Sequence, residues 1–225
     1  MVRAVSPSLA EQLTATMAAI HRRGWCDGTG GNFSCVIQRE PLQLLMAPSG
    51  VDKGSVQPDA LIVVDQNSQV VKGQGKASAE TALHLTIVER CGAGAVLHTH
   101  SQSGTLLSRM AIKDNDGEDG REGVAGIRLD GLEMLKGLEG IQTHDTDITL
   151  PVLANDQDLT KVSEKARAVI PGAPYGLLLA GHGLYAWGDT LAIATRHLEI
   201  LEFLLEQHWR QRLFDAVVRP SHAST

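Results

Sequence analysis

Two histidines one residue apart, His98 and His100, close the apolar run Ala95-Val-Leu-His-Thr-His100. In an extended strand, side chains at i and i+2 project to the same side, so these imidazoles can meet one cation from adjacent positions. A third ligand must come from elsewhere, and His182 is the best candidate. It follows the apolar run GLLLA and lies between Gly181 and Gly183, where the chain can turn and approach a neighbour closely. Three imidazoles with an open position describe a catalytic zinc site rather than a structural one, although iron, cobalt, manganese or nickel suit the same ligands. A His-x-His pair by itself is more often incidental. What favours a site is that both elements stand at the ends of apolar strands, where the sites of α/β proteins gather. His21, His84, His144, His197, His208 and His222 lack such pairing and read as structural or surface groups.

The elements that must position these groups follow from periodicity. Leu9, Leu13, Met17 and Ile20 recur at helical spacing behind a Ser8–Glu11 capping box, with Gly24 as a C-terminal stop. Apolar runs at 33–37, 42–47 and 61–65, separated by turn residues, read as strands. Residues 77–91 read as a helix with Ser78 placed to cap it. A strand at 95–100 follows, then a helix at 101–110. Residues 113–123 (KDNDGEDGREG) are charged and glycine-rich and read as a mobile surface loop, either a lid or a neutral insertion. A short helix at 132–138, a strand at 148–153, a helix at 159–170, a strand at 176–180 and a long helix at 190–214 complete the chain. No repeat or linker interrupts it, so one mixed α/β domain over 1–225 is expected.

Composition narrows the function. Net charge is −6 with no Lys/Arg cluster, which argues against nucleic acid, because phosphate-backbone binding needs a concentrated basic face. A small anion is still accessible to a few local donors. Cys26, Cys35 and Cys91 are odd in number and lack CxxC spacing, against both a disulfide framework and a structural zinc site. The first two dozen residues read as an amphipathic helix rather than a signal peptide, and no run of about 18 apolar residues occurs. A cytoplasmic protein without a membrane partner is the expectation.

Five segments together resemble the class II aldolase/adducin family: Gly28-Thr-Gly-Gly-Asn-Phe-Ser34, Ala47-Pro-Ser-Gly-Val51, Ala77-Ser-Ala-Glu-Thr81, His98-Thr-His-Ser101 and Gly181-His-Gly-Leu-Tyr-Ala-Trp-Gly188. They are spread over nearly the whole chain, and the first four fix only the general type. Leu129-Asp-Gly-Leu-Glu-Met-Leu-Lys136, Leu153-Ala-Asn-Asp-Gln-Asp158 and the stretch from His182 to Gly188 resemble the family's dehydratase branch.

That resemblance implies an αβα sandwich around a mostly antiparallel central sheet, and a homotetramer with sites near subunit interfaces. It implies one zinc ion per subunit on His98, His100 and His182, and a small sugar phosphate as partner. Its phosphate would fall to Thr29, Gly30, Asn32, Ser49, Gly50 and Ser78, whose hydroxyls, amide and backbone N–H groups can converge on an oxyanion, with Lys53 adding a point charge. The implied substrate is a 2-keto pentose 1-phosphate with a 5-methylthio group, losing water from C3 and C4 to give a 2,3-diketone. A metal at the carbonyl would acidify the C3 proton, and a carboxyl group would transfer it. Glu133 matches the branch's acid/base, and the short helix is expected to aim it into the site. Glu80 matches a metal-adjacent carboxylate that helps position metal and substrate; similar eukaryotic chains carry cysteine there, which leaves its role more open. Two rivals share the fold. A sugar-phosphate aldolase or epimerase would use the same groups, but such aldolases commonly employ a tyrosine donor, and only Tyr175 and Tyr185 occur here, neither between His100 and Glu133. A non-catalytic adducin-like assembly module would have lost the metal ligands, all three of which are retained.

Overall fold

In the computed structural model, which describes residues 6–114 and 123–218, the chain begins with helix α1 (Leu9–Arg22). Its start is the expected capping box: Ser8 Oγ accepts from the Glu11 N–H, and the Glu11 carboxylate accepts from the Ser8 N–H at 2.6 Å. Leu13, Met17 and Ile20 are buried along one stripe, and Gly24 turns the chain with φ +72°. Most of the 113–123 loop reading, and His222, fall outside the described residues.

Nine strands form one sheet: β1 (Asn32–Arg39), β2 (Leu42–Met46), β3 (Ile62–Asp65), β4 (Val70–Lys72), β5 (Ala95–Thr99), β6 (Val124–Asp130), β7 (Asp147–Leu153), β8 (Gly176–Leu179) and β9 (Gly183–Gly188). Their spatial order is β4-β3-β2-β1-β5-β9-β8-β7-β6. All neighbours run antiparallel except the β7–β8 pair. The remaining helices are α2 (Thr81–Cys91), α3 (Gln102–Asp114), α4 (Leu159–Val169) and α5 (Leu191–Val218). Buried side chains of α1, α3 and α5 share one core with Phe33, Leu97 and Ile127, whereas those of α2 and α4 share another with Val96, Leu153 and Trp187. The sheet is thus sandwiched between helical layers, the αβα arrangement that the resemblance implies. Burial of each such Leu or Ile contributes about 1.5–3 kcal/mol, which is what holds the layers together.

Several boundaries differ from expectation. Strands β4, β6 and β9 lie outside the segments read as strands. In β9 all six residues are buried, so no polar alternation marks it. Helix α2 starts at Thr81, and Ser78 does not cap it; Glu80 occupies the N-cap position without a side-chain bond to the helix. The reason is that both side chains are engaged elsewhere. Ser78 Oγ accepts from the Glu80 N–H and from Asn32, and the Glu80 carboxylate turns toward the histidines. The segment at 132–138 is a 3-10 helix, Glu133–Gly137.

Candidate metal centre and anion cavity

Strand β5 runs at the middle of the sheet between β1 and β9, and its register puts Asn32 and Tyr185 directly opposite His98. His98 is fully buried. Its Nδ1 donates to the Leu184 carbonyl at 2.9 Å, since a carbonyl can only accept, and this leaves the Nε2 lone pair free. The imidazole stacks on the Tyr185 ring at 3.9 Å with 14° between planes. His100 lies just past the strand, where its N–H donates to the Trp25 carbonyl at 2.7 Å. Gly30 packs against its ring so closely that a Cβ there would come within 2.9 Å of Nδ1. His182 sits in the β8–β9 turn, which closes with the His182 N–H on the Leu179 carbonyl and Gly181 at φ +65°.

The three rings converge, with centroids 4.6, 4.8 and 4.9 Å apart. His100 Nε2 stands 2.8 Å from His98 Nε2. Glu80 joins them from the head of α2, its Oε1 2.8 Å from His182 Nε2 and 3.5 Å from His98 Nε2. One ligand atom from each of Glu80, His98, His100 and His182 lies within 4.8 Å of the other three, and no other such group occurs among the described residues. This donor set fits a divalent cation. Lone pairs of borderline nitrogen and hard oxygen face one another at distances that a shared positive charge relieves.

The electrostatics agree. Burial works against the Glu80 charge, but with no cation present positive charge on the neighbouring imidazole of His98 and hydrogen bonds from His182 and His98 outweigh it and hold the carboxyl well below the usual range; a bound cation would take the place of those protons and free the ring lone pairs. Burial, reinforced by the charges of His98 and His182, drives His100 down to about 3, so its ring is neutral and available as a ligand. His84, read as structural, is buried and pushed down to about 3, with Nδ1 paired to Ser34 Oγ at 2.8 Å.

A cavity of about 410 Å³ opens beside this cluster. Its lining includes all seven residues of the anion reading, Thr29, Gly30, Asn32, Ser49, Gly50, Lys53 and Ser78, together with Glu80, His100 and His182. Asn32 Nδ2 ties the two groups together, donating to Ser78 Oγ at 3.1 Å and to Glu80 Oε2. Lys53 is buried, and its Nζ donates to the carbonyls of Thr29 and Val51 at 2.9 and 3.0 Å. An ammonium carries three donors, so one remains for a ligand. Asn155, Asp156 and Gln157 complete the wall. The sequence offered a resemblance over that segment but no role for it; polar residues immediately beyond a strand end were the available signal.

Glu133 departs from expectation. It heads the 3-10 helix with its side chain 70% exposed, paired to Lys136 Nζ at 2.8 Å and His144 Nδ1 at 3.4 Å. It is not among the residues lining the cavity of its own chain. Leu135 and Leu138 are the buried members of this segment and turn Glu133 outward. A larger cavity of about 730 Å³ lies on the α1–α5 side, bordered by Trp25, Ser101, Glu202 and Phe203. It contains none of the clustered histidines, and its size does not compensate for that.

Residues 11–209 match the family model of the Class II Aldolase and Adducin N-terminal domain. The methylthioribulose-1-phosphate dehydratase of Pectobacterium atrosepticum is 42% identical over 212 residues, covering 92% of this chain and 97% of that protein. The enzyme of the same name from Yersinia enterocolitica is 40% identical, with 91% and 94% covered. Among solved structures, an L-fuculose 1-phosphate aldolase superposes with a TM-score of 0.71 at 22% identity, over 95% of this chain and 91% of its own. The latter likeness is one of fold.

Proposed function

The chain belongs to the class II aldolase and adducin family, and from that premise we propose that it is a lyase that dehydrates 5-methylthioribulose 1-phosphate to 2,3-diketo-5-methylthiopentyl 1-phosphate, a step of methionine salvage. The observation that carries the reading is the junction of two half-sites. A Glu80–His98–His100–His182 cluster able to hold a divalent ion shares one cavity with seven groups suited to a phosphate.

His98, His100 and His182 would hold the ion, zinc in this reading, with the Glu80 carboxylate beside them. A divalent ion held there would supply Lewis acidity, which at the substrate's C2 carbonyl would make the C3 proton acidic. Thr29, Gly30, Ser49, Gly50 and Ser78 seat the phosphate, with the free N–H of Lys53 directed at its charge. Asn32 fixes both Ser78 and the Glu80 carboxylate, so phosphate seat and metal seat keep one spacing. Glu133 transfers the proton between C3 and the departing C4 hydroxyl. Because its carboxylate stands on the outside of its own chain, we assign it to the cavity of a neighbouring subunit in a cytoplasmic homotetramer.

The aldolase or epimerase alternative lacks its proton donor within the chain. Tyr185 is buried behind His98, and the Tyr175 hydroxyl donates to the Glu139 carbonyl at 2.8 Å. Neither lines the cavity. Incubating metal-loaded protein with 5-methylthioribulose 1-phosphate tests the proposal by mass spectrometry. Loss of one water with appearance of the diketone is expected. Cleavage to two fragments would move the assignment to an aldolase, and failure to take up any metal would favour an assembly module.

A further inference from the structure

The two faces of strand β5 carry different chemistry. His98 faces the α2–α4 layer, and Thr99, the residue between the two clustered histidines, faces α5. Both Thr99 and Glu202 of α5 are buried, at 0% and 1% exposure. The Thr99 hydroxyl donates to Glu202 Oε1 at 2.5 Å. The neighbours of Glu202 along the helix, Leu198, Leu201, Leu204 and Leu205, are all buried. Among the described residues Glu202 makes no ion pair, and its Oε2 meets no hydrogen-bond partner.

A carboxyl group in this setting is costly. Burial of a polar group with one oxygen unpaired costs about 1–3 kcal/mol, and an apolar side chain of similar volume would suit the surrounding leucines better. Stability therefore does not account for a glutamate at this position. Its carboxyl interacts with the hydroxyls of Thr99 and Ser101, the two residues that flank His100, and Thr99 is the residue whose neighbours on either side point into the candidate metal cluster. The same stretch of backbone is gripped twice more: the His100 N–H on the Trp25 carbonyl, and the Thr99 carbonyl against Gly183, where a Cβ would come within 1.9 Å. With backbone clamps at Thr99 O and His100 N, a side-chain clamp at Thr99 Oγ1 fixes the remaining freedom, the rotation of the strand end about its own axis. In a strand, that rotation sets where the side chains at i−1 and i+1 aim.

We propose that Glu202 is a positioning residue for the metal centre, acting through Thr99 from the opposite face of β5 to hold the His98 and His100 imidazoles in convergence. The proposal rests on the metal reading above, and its test keeps the two apart. Zinc affinity of the full-length protein is measured by chelator competition, and the d–d spectrum of the cobalt-loaded form is recorded, for wild type, Thr99→Val, Thr99→Ser, Glu202→Leu and Glu202→Gln. Removing a residue that orients metal ligands typically weakens binding about 10–100-fold, and that loss is expected for Thr99→Val and Glu202→Leu, with a shifted cobalt spectrum. Thr99→Ser and Glu202→Gln, which keep a hydroxyl donor and a carbonyl acceptor, are expected to bind like wild type. Thermal unfolding of the metal-free variants separates a merely structural role, which would lower Tm and leave affinity unchanged. Wild-type affinity in either Thr99→Val or Glu202→Leu overturns the proposal, so a folding failure of one variant leaves the other to decide. A wild-type protein that takes up no zinc or cobalt would instead remove the metal reading itself.

Discussion

Tyr185 lies flat against His98, ring on ring at 3.9 Å, and its buried hydroxyl finds no hydrogen-bond partner among the described residues. The cross-strand register produces this contact, since the two residues stand directly opposite on β9 and β5. Tyr185 is thus a back wall for the His98 ring rather than a proton donor.

Replacing Tyr185 by Phe is therefore expected to preserve metal affinity and to leave stability unchanged or raise it by about 1 kcal/mol, because an unpaired buried hydroxyl disappears. Replacing it by Ala opens a cavity behind the ligand and should cost about 3–5 kcal/mol. Urea denaturation of the metal-free proteins checks both values. A Phe variant markedly less stable than wild type would mean that the hydroxyl has a partner.

Glu133 yields a complementation experiment. If its carboxylate serves a neighbouring subunit, Glu133→Gln and His182→Ala homotetramers are each inactive, yet mixed tetramers regain activity. With random assembly, about one quarter of the cavities combine an intact Glu133 with an intact His182 from the adjoining chain. Turnover of coexpressed, doubly tagged tetramers measures this. Mixed tetramers as inactive as their parents would place Glu133 in its own chain's mechanism or outside the mechanism altogether.

Lys53→Met should weaken binding of the phosphorylated substrate, raising KM about 10–100-fold, as expected for one charge-assisted hydrogen bond worth about 1.5–3 kcal/mol. The change in kcat should be smaller, because the phosphate is remote from the reacting carbons. Inhibition by inorganic phosphate should weaken in parallel. An unchanged phosphate inhibition constant would show that the Nζ donors serve only the Thr29 and Val51 carbonyls.

Glu202 gives a pH signature. Burial pushes its carboxyl up to about 7 from an ordinary value of 4.5, with Glu206 adding to the rise. The folded state thus holds the proton more tightly than the unfolded state. The stabilisation is complete below about 4.5 and is lost as pH rises through 7. Of the charged groups bordering the same cavity, Arg23 is paired with Glu199 and Arg210 with Glu206, and Asp27 completes the set. Glu202→Gln cannot ionise, so its stability relative to wild type should increase between pH 5 and 8. Urea midpoints of both proteins across that interval check the sign. Parallel curves would mean that the carboxyl stays in one state throughout.

The candidate metal cluster is legible in the sequence because a strand's two-residue repeat is a strong geometric rule, and His98 and His100 obey it. The lining of the candidate anion cavity is legible residue by residue, since its small polar groups lie in turns whose chemistry is local. The support behind the ligands is not. Strand β9 is buried on both sides, so nothing in its composition marks Tyr185 as a neighbour of His98. Glu202 sits in a long helix among buried leucines, and helical spacing alone does not distinguish a buried acid from a solvated one. The placement of Glu133 depends on how the short 3-10 segment docks on α5, a tertiary event that turns Leu135 and Leu138 inward.

The four candidate ligand atoms belong to three pieces of backbone, the head of α2, the end of β5 and the β8–β9 turn, which meet only once the middle of the sheet is complete. An unfolded chain offers a cation scattered imidazoles, whereas the finished sheet offers it a cage. Saturating metal should then protect the fold, by about 4 kcal/mol at a thousandfold excess over Kd. In a cell, metal supply would govern how much of this protein escapes degradation as well as how fast it turns over.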